Sequence, residues 1–218
     1  MARRRDDLQR RKHFIEPRPR ILVCCEGKVT EPSYFNGLKR KGHNNLLHIE
    51  VKPGGLVPKT LVDYALDLKR EAEENARRQS DDNLKYDEVW CVFDVDAHPH
   101  LRDAKQKAEA NRIKMAISNP CFELWLLLHF QDRRAHIERH HVQSACRDHI
   151  PGYDKFVPFE VVFPHHQEAV SRAVALDNWQ QGQGRPGGNP STGVHRLTER
   201  VMQLGRDEQL KKHRPSYR

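Results

Sequence analysis

The order of apolar and polar positions along the chain alternates between two periods. Arg20 to Cys25 (RILVCC) is a continuous apolar run of β-compatible residues and predicts a short buried strand. Tyr34, Phe35 and Leu38 then recur at helical spacing, after Thr30 as a cap and Glu31 and Pro32 in a first turn, until 42–45 (GHNN) interrupts them. Leu46 to Lys52 predicts a second strand. Leu61, Val62, Ala65, Leu66 and Leu68 mark one side of a long helix over 59–78. Tyr86 to Val95 predicts a third strand, 101–112 an exposed helix, and Ile113 to Ser118 a fourth strand. From Asn119-Pro120 the stretch CFELWLLLHF is apolar almost all round, so it predicts a buried helix. Beyond Gln131 the pattern changes. Residues 132–150 read as a polar, His-rich helix, Pro164 to Gln180 as an amphipathic helix, 181–193 as a Gly/Pro/Gln/Asn loop, and Val194 to Leu204 as a last helix.

Strands alternating with helices predict an α/β fold with a mostly parallel sheet covered on both faces, followed by helical additions. There are 218 residues, enough for one domain. We read 1–19 as a basic N-terminal tail, 20–205 as a single domain and 206–218 as a basic C-terminal tail. The longest apolar run, Leu124 to Leu128, is far too short to span a membrane. Five cysteines form no C-x-x-C pair, and three lie in apolar runs, which points to free thiols in a reducing cytoplasm. Net charge is +8 and is concentrated at the two ends, which suits a polyanionic partner through counterion release; the alternative is a solvated tail.

The chemistry sits at strand ends. In a parallel α/β sheet, ligands bind beyond the carboxyl ends of the strands. The first strand ends in Glu26-Gly27 and the third in Asp94-Val95-Asp96. In an extended segment Asp94 and Asp96 share a side. If the two strands are neighbours, Glu26 joins them, and three crowded carboxylates call for a divalent cation, Mg2+ or Mn2+. Such a cation can orient and polarise a phosphodiester. A lone D-x-D is more often loop acids or a cap for the next helix, but two acid-tipped strands in one α/β pattern move the reading toward a site. Glu123, on the apolar helix four residues after Asn119, must be paired or ligate something if buried. Gly27 allows close approach of a phosphate, and Lys28 can neutralise one or be a plain surface lysine. His136 and His140 are four apart, but no third ligand is evident. No Walker A or G-x-S-x-G motif is present.

Taken together, ILVCCEGKVTEPSYFNGL, VWCVFDVDAH, AISNPCFELWLLLHF and NPSTGVHRLTERV, in this order over roughly residues 17–205, resemble the RloB-like proteins. EGKVTE and VFDVD resemble the acidic motifs of a Toprim domain, a Rossmann-like Mg2+-binding fold. The resemblance implies Glu26 as metal ligand or general acid/base and Asp94 and Asp96 as the metal pair. Glu31, Asn119, Glu123, Lys28, Ser191 and His195 are further candidates, with Asn189 and Thr192 in the same last block. It also implies a nuclease acting on DNA or RNA in phage defence (abortive infection), with an AAA/ABC-type ATPase partner and oligomers as further expectations. The competing expectation is a non-catalytic binding or regulatory subunit of a defence ATPase complex. A topoisomerase- or primase-like activity is weaker, because the chain is short for it.

Overall fold

The computed structural model describes residues 18–41, 48–53, 55–95 and 101–212. Five strands form one sheet in the order β2-β1-β3-β4-β5. They are β1 (Arg20–Cys25), β2 (His48–Lys52), β3 (Glu88–Asp94), β4 (Lys114–Asn119) and β5 (Ser191–Thr192). The first four run parallel, with Leu22 opposite Val89 and Val92 opposite Ala116; β5 is antiparallel to β4. The expected neighbours β1 and β3 are hydrogen-bonded at the centre of the sheet.

Strand periodicity divides the core in two. Ile21, Val23 and Cys25 face the same side as Trp90 and Val92 and pack with α1 (Thr30–Lys41), α4 (Glu123–Leu128), α7 (His166–Gly182) and α8 (Val194–Lys212). Leu22 and Cys24 join Val89, Cys91 and Phe93 on the other side, under α2 (Pro58–Gln79) and α3 (Leu101–Ala110). Both faces are dry, which is why these strands are apolar throughout rather than alternating. The period of two has a direct consequence for the site. Asp94 continues the Trp90–Val92 side of β3, toward α1 and α4. All five cysteines are free and buried, and burial pushes the Cys24 thiol up to about 12. No helix among the described residues is long and apolar enough to cross a membrane.

Several elements differ from the sequence expectation. The polar helix expected over 132–150 is confined to α5 (Arg139–His149). Upstream, side chains satisfy the backbone instead: Arg172 donates to the Leu128 and His129 carbonyls, and Asn189 both donates to and accepts from Ile137. His136 therefore lies outside the helix, bonded to Glu138, and does not share a helical face with His140. A short helix, α6 (Phe159–Val162), was not anticipated. Residues 191–192, expected in a loop, extend the sheet, where the Ser118 and Thr192 hydroxyls lie 2.9 Å apart. The last helix runs to Lys212 rather than Leu204, into the stretch read as the C-terminal tail; one glycine inside a helix costs only about 1 kcal/mol. Helix 101–112 buries Ala104 and Ala108, so it is exposed on one side only. Residues 1–17, most of the N-terminal tail, and 213–218, the end of the C-terminal one, lie outside the described residues.

Candidate functional site

Beyond the carboxyl ends of β1 and β3 lies an open cleft of about 430 Å³, lined by Glu26, Glu31, Asp94 and Glu123 together with Lys28, Arg139, Gln143 and Lys155. Each acid arrives by a different route. Glu26 is the first residue after β1, and its own N–H donates to the Val92 carbonyl at 2.8 Å, prolonging the ladder by one step. Its Oε2 then accepts the Asp94 N–H at 2.9 Å. The two strand tips are thus tied through the carboxylate itself.

Glu31 occupies the first turn of α1, where an acid is favoured by the helix dipole. It does more than that. The side chain is buried and folds back so that Oε1 accepts the Gly27 N–H at 3.3 Å. A Cβ on residue 27 would stand 2.1 Å from Glu31 Oε2, so this approach requires glycine. Glu123 opens α4 and is also buried, with Gln143 Nε2 and Tyr153 Oη each donating to Oε1 at 3.2 Å. Asp94 is 8% exposed and receives the Arg139 guanidinium at 3.1 Å.

Crowding shows in the acid–base behaviour. Burial holds the Asp94 carboxyl well above the usual carboxylate range. Glu31, Glu123 and Glu26 push it further up, and Arg139 opposes them. Burial likewise raises Glu31 to about 7, with Glu123 and Glu26 adding to the rise and the hydrogen bonds at its own and the Gly27 N–H opposing it. Four acids therefore surround one space in which negative charge is costly.

Gly55 ties down the end of β1. It has φ +79, donates its N–H to the Glu26 carbonyl at 2.5 Å, and carries the Lys28 stem across the place a Cβ would take. Lys28 is exposed on the cleft rim.

The remaining candidates go elsewhere. Asp96 lies outside the described residues. Asn119 ends β4 and donates to the Gly187 carbonyl at 3.0 Å, a tie to the 183–190 loop. Ser191 is buried beside a second cavity, away from the acids. His195 is buried, with Nδ1 3.0 Å from the Thr192 carbonyl and Nε2 3.9 Å from Asp177. Thr192 Oγ1 caps α8 through the Val194 N–H. The last sequence block thus closes the sheet and starts a helix. Arg139, Gln143, Tyr153 and Lys155 are cleft residues that sequence reasoning missed. They lie in a polar stretch without periodicity, and only the packing of α5 and the following loop against the cleft brings them in.

Among the described residues no group of three or more His, Cys, Asp or Glu side chains is drawn together closely enough to hold a metal. The donor chemistry nevertheless fits a hard divalent cation: oxygen ligands only, with Glu31 and Asp94 pushed upward by burial and by neighbouring glutamates. Glu26 and Asp94, joined at the strand tips, are the residues that would hold it, with Glu31 and Glu123 alongside.

Comparison with curated proteins and with solved structures finds no match. A family model described as RloB-like protein matches residues 21–201, a span that contains all of the sheet but Arg20 and all four cleft acids. The chain belongs to the RloB-like family.

Proposed function

We propose that the protein is a Toprim-like, Mg2+- or Mn2+-dependent phosphodiesterase of the cytoplasm that cleaves DNA or RNA in phage defence. The observation that carries this reading is the convergence of Glu26, Glu31, Asp94 and Glu123 on one cleft at the carboxyl edge of a parallel sheet. A divalent cation bound there supplies positive charge to a phosphate and lowers the pKa of water. The protein's own groups have separable tasks. The Asp94 N–H orients Glu26. Glu31, raised to about 7, can hold or pass a proton near neutrality. Arg139 balances Asp94, and Lys28 on the rim meets the phosphate.

A second reading is a non-catalytic subunit of a defence ATPase complex. The Arg139–Asp94 pair favours it, because it neutralises a buried cleft acid from within the chain.

Incubation with labelled DNA and RNA, in Mg2+, Mn2+ or EDTA, separates the two. Under the nuclease reading Asp94→Asn and Glu26→Gln lower cleavage by about 100-fold or more. Mg2+ raises the melting temperature of the wild type but not of Asp94→Asn. Cleavage untouched by both substitutions removes the site. A protein that cleaves nothing, alone or with its ATPase, is the binding subunit.

A further inference from the structure

One exposed aromatic, adjacent in sequence to a cleft residue, remains without a task. Phe156 is 63% exposed, next to Lys155, which lines the acidic cleft. Exposed apolar side chains are common singly, so exposure alone decides nothing. What sets Phe156 apart is how it is held. Tyr153 is buried and bonded to Glu123 in the cleft floor. Val157 is buried and donates its N–H to the Ser33 hydroxyl of α1 at 3.1 Å. Between these anchors Lys155 takes φ +63, and the Phe156 N–H closes a tight turn on the Asp154 carbonyl at 2.8 Å. A left-handed lysine is uncommon and strained. Anchors on both sides and a strained turn between them present the ring to solvent.

The same rim carries cations. Among the described residues neither Lys28 nor Lys155 has an ion-pair partner. Val29, 45% exposed, adds a second apolar surface beside Lys28. An aromatic ring beside unpaired lysines is the arrangement that stacks a base and holds the adjoining phosphate, and it needs a base whose face is open. A cleft of about 430 Å³ is of small-ligand size, the scale of a nucleotide.

We infer that the cleft takes unpaired nucleic acid, with a base stacked on Phe156 and its phosphates on Lys155 and Lys28. The inference rests on the nuclease reading only for the cleft's orientation toward phosphate; binding is measurable without cleavage. The test is fluorescence anisotropy on the full chain with phosphorothioate oligonucleotides of about 12 nucleotides, oligo-dT and oligo-rU, against a hairpin duplex of matched charge. Single strands bind more tightly than the hairpin. Phe156→Ala weakens single-strand binding about 5- to 150-fold, Phe156→Trp restores it, and neither alters the hairpin. Lys155→Gln weakens both and lowers the single-strand salt slope by about 0.7. Equal affinity for strand and hairpin, unchanged binding by Phe156→Ala, or no binding of any oligonucleotide overturns the inference. Phe156-dependent binding without cleavage removes the nuclease reading and keeps this one. Cleavage with binding indifferent to Phe156 does the reverse.

Discussion

Gly27 carries more of the site than its size suggests. Its N–H is the donor that draws the Glu31 carboxylate back, and its missing side chain is the space that carboxylate fills. Gly27→Ala would set a methyl against Glu31 Oε2, and the flexible carboxylate is what yields. The expected outcome is a cleft with Glu31 displaced and a fold left nearly intact. Metal-dependent cleavage falls about 10- to 100-fold, in line with small misplacements of catalytic groups, while the melting temperature moves little. Wild-type cleavage by Gly27→Ala would show that Glu31 has no part in the chemistry. At this scale the sequence is informative where chemistry is local: Glu26 and Gly27 follow a strand, and a strand end in a parallel sheet is a functional address. Arg139 had no such address. It begins a helix in a polar stretch, and its bond to Asp94 spans 45 residues.

Helix α5 shows how an element far from the acids shapes them. Asn189 uses its amide as a backbone mimic, donating to the Ile137 carbonyl at 2.9 Å and accepting the Ile137 N–H at 3.1 Å. Two residues later α5 begins with Arg139. The block holding Asn189 thus fixes the start of the helix that delivers the cation to Asp94. Asn189→Ala leaves both Ile137 groups without their partner. We expect a loss of about 2–3 kcal/mol in urea denaturation, with Asn189→Asp intermediate because it keeps the acceptor and loses the donor. A loss under about 0.5 kcal/mol would mean that water replaces the amide at no cost. The periodic elements β1 and α2 match their expected bounds closely because their own side chains dictate them. Segment 132–138 does not, because Ile137 takes its backbone partners from Asn189, 52 residues away.

The molecule as a whole binds its helical layer through a buried aromatic cluster in which Tyr34, Trp125, His129 and His166 meet. His129 is fully enclosed, and its Nδ1 stands 2.9 Å from the Trp125 carbonyl, which can only accept, so the ring donates there. Burial lowers His129 to about 3; His166 and His165 repel its charge, and the backbone bond to Trp125 opposes them. The sign follows from the neutral form being favoured in the fold. Its contribution is complete above the ordinary histidine range near 6.5 and is lost as pH falls below it toward 3. Between pH 8 and 5 the loss is about 2 kcal/mol. Glu31 acts in the opposite direction, since the fold holds its proton tighter and that contribution fades as pH rises from about 4.5 to 7. The His129 share is therefore read by difference: urea denaturation of wild type and His129→Gln at both pH values, with the variant losing about 2 kcal/mol less on acidification. Parallel pH profiles would show that His129 does not titrate against the fold.

By itself the sequence determined the α/β class, the parallel order of apolar strands and the two acid-tipped strand ends, because hydrophobic period and strand termini are local properties of the chain. Tertiary structure decided the rest of the cleft. It folded Glu31 onto Gly27, faced Glu123 toward Asp94 from another element, and set Arg139 and Lys155 on the rim. It also placed Asn119, Ser191 and His195 away from the four acids, at the 183–190 loop, a second cavity and the start of α8. Charge crowding, burial and backbone pairing between distant segments produce these outcomes, and none of them has a period that can be read along one chain.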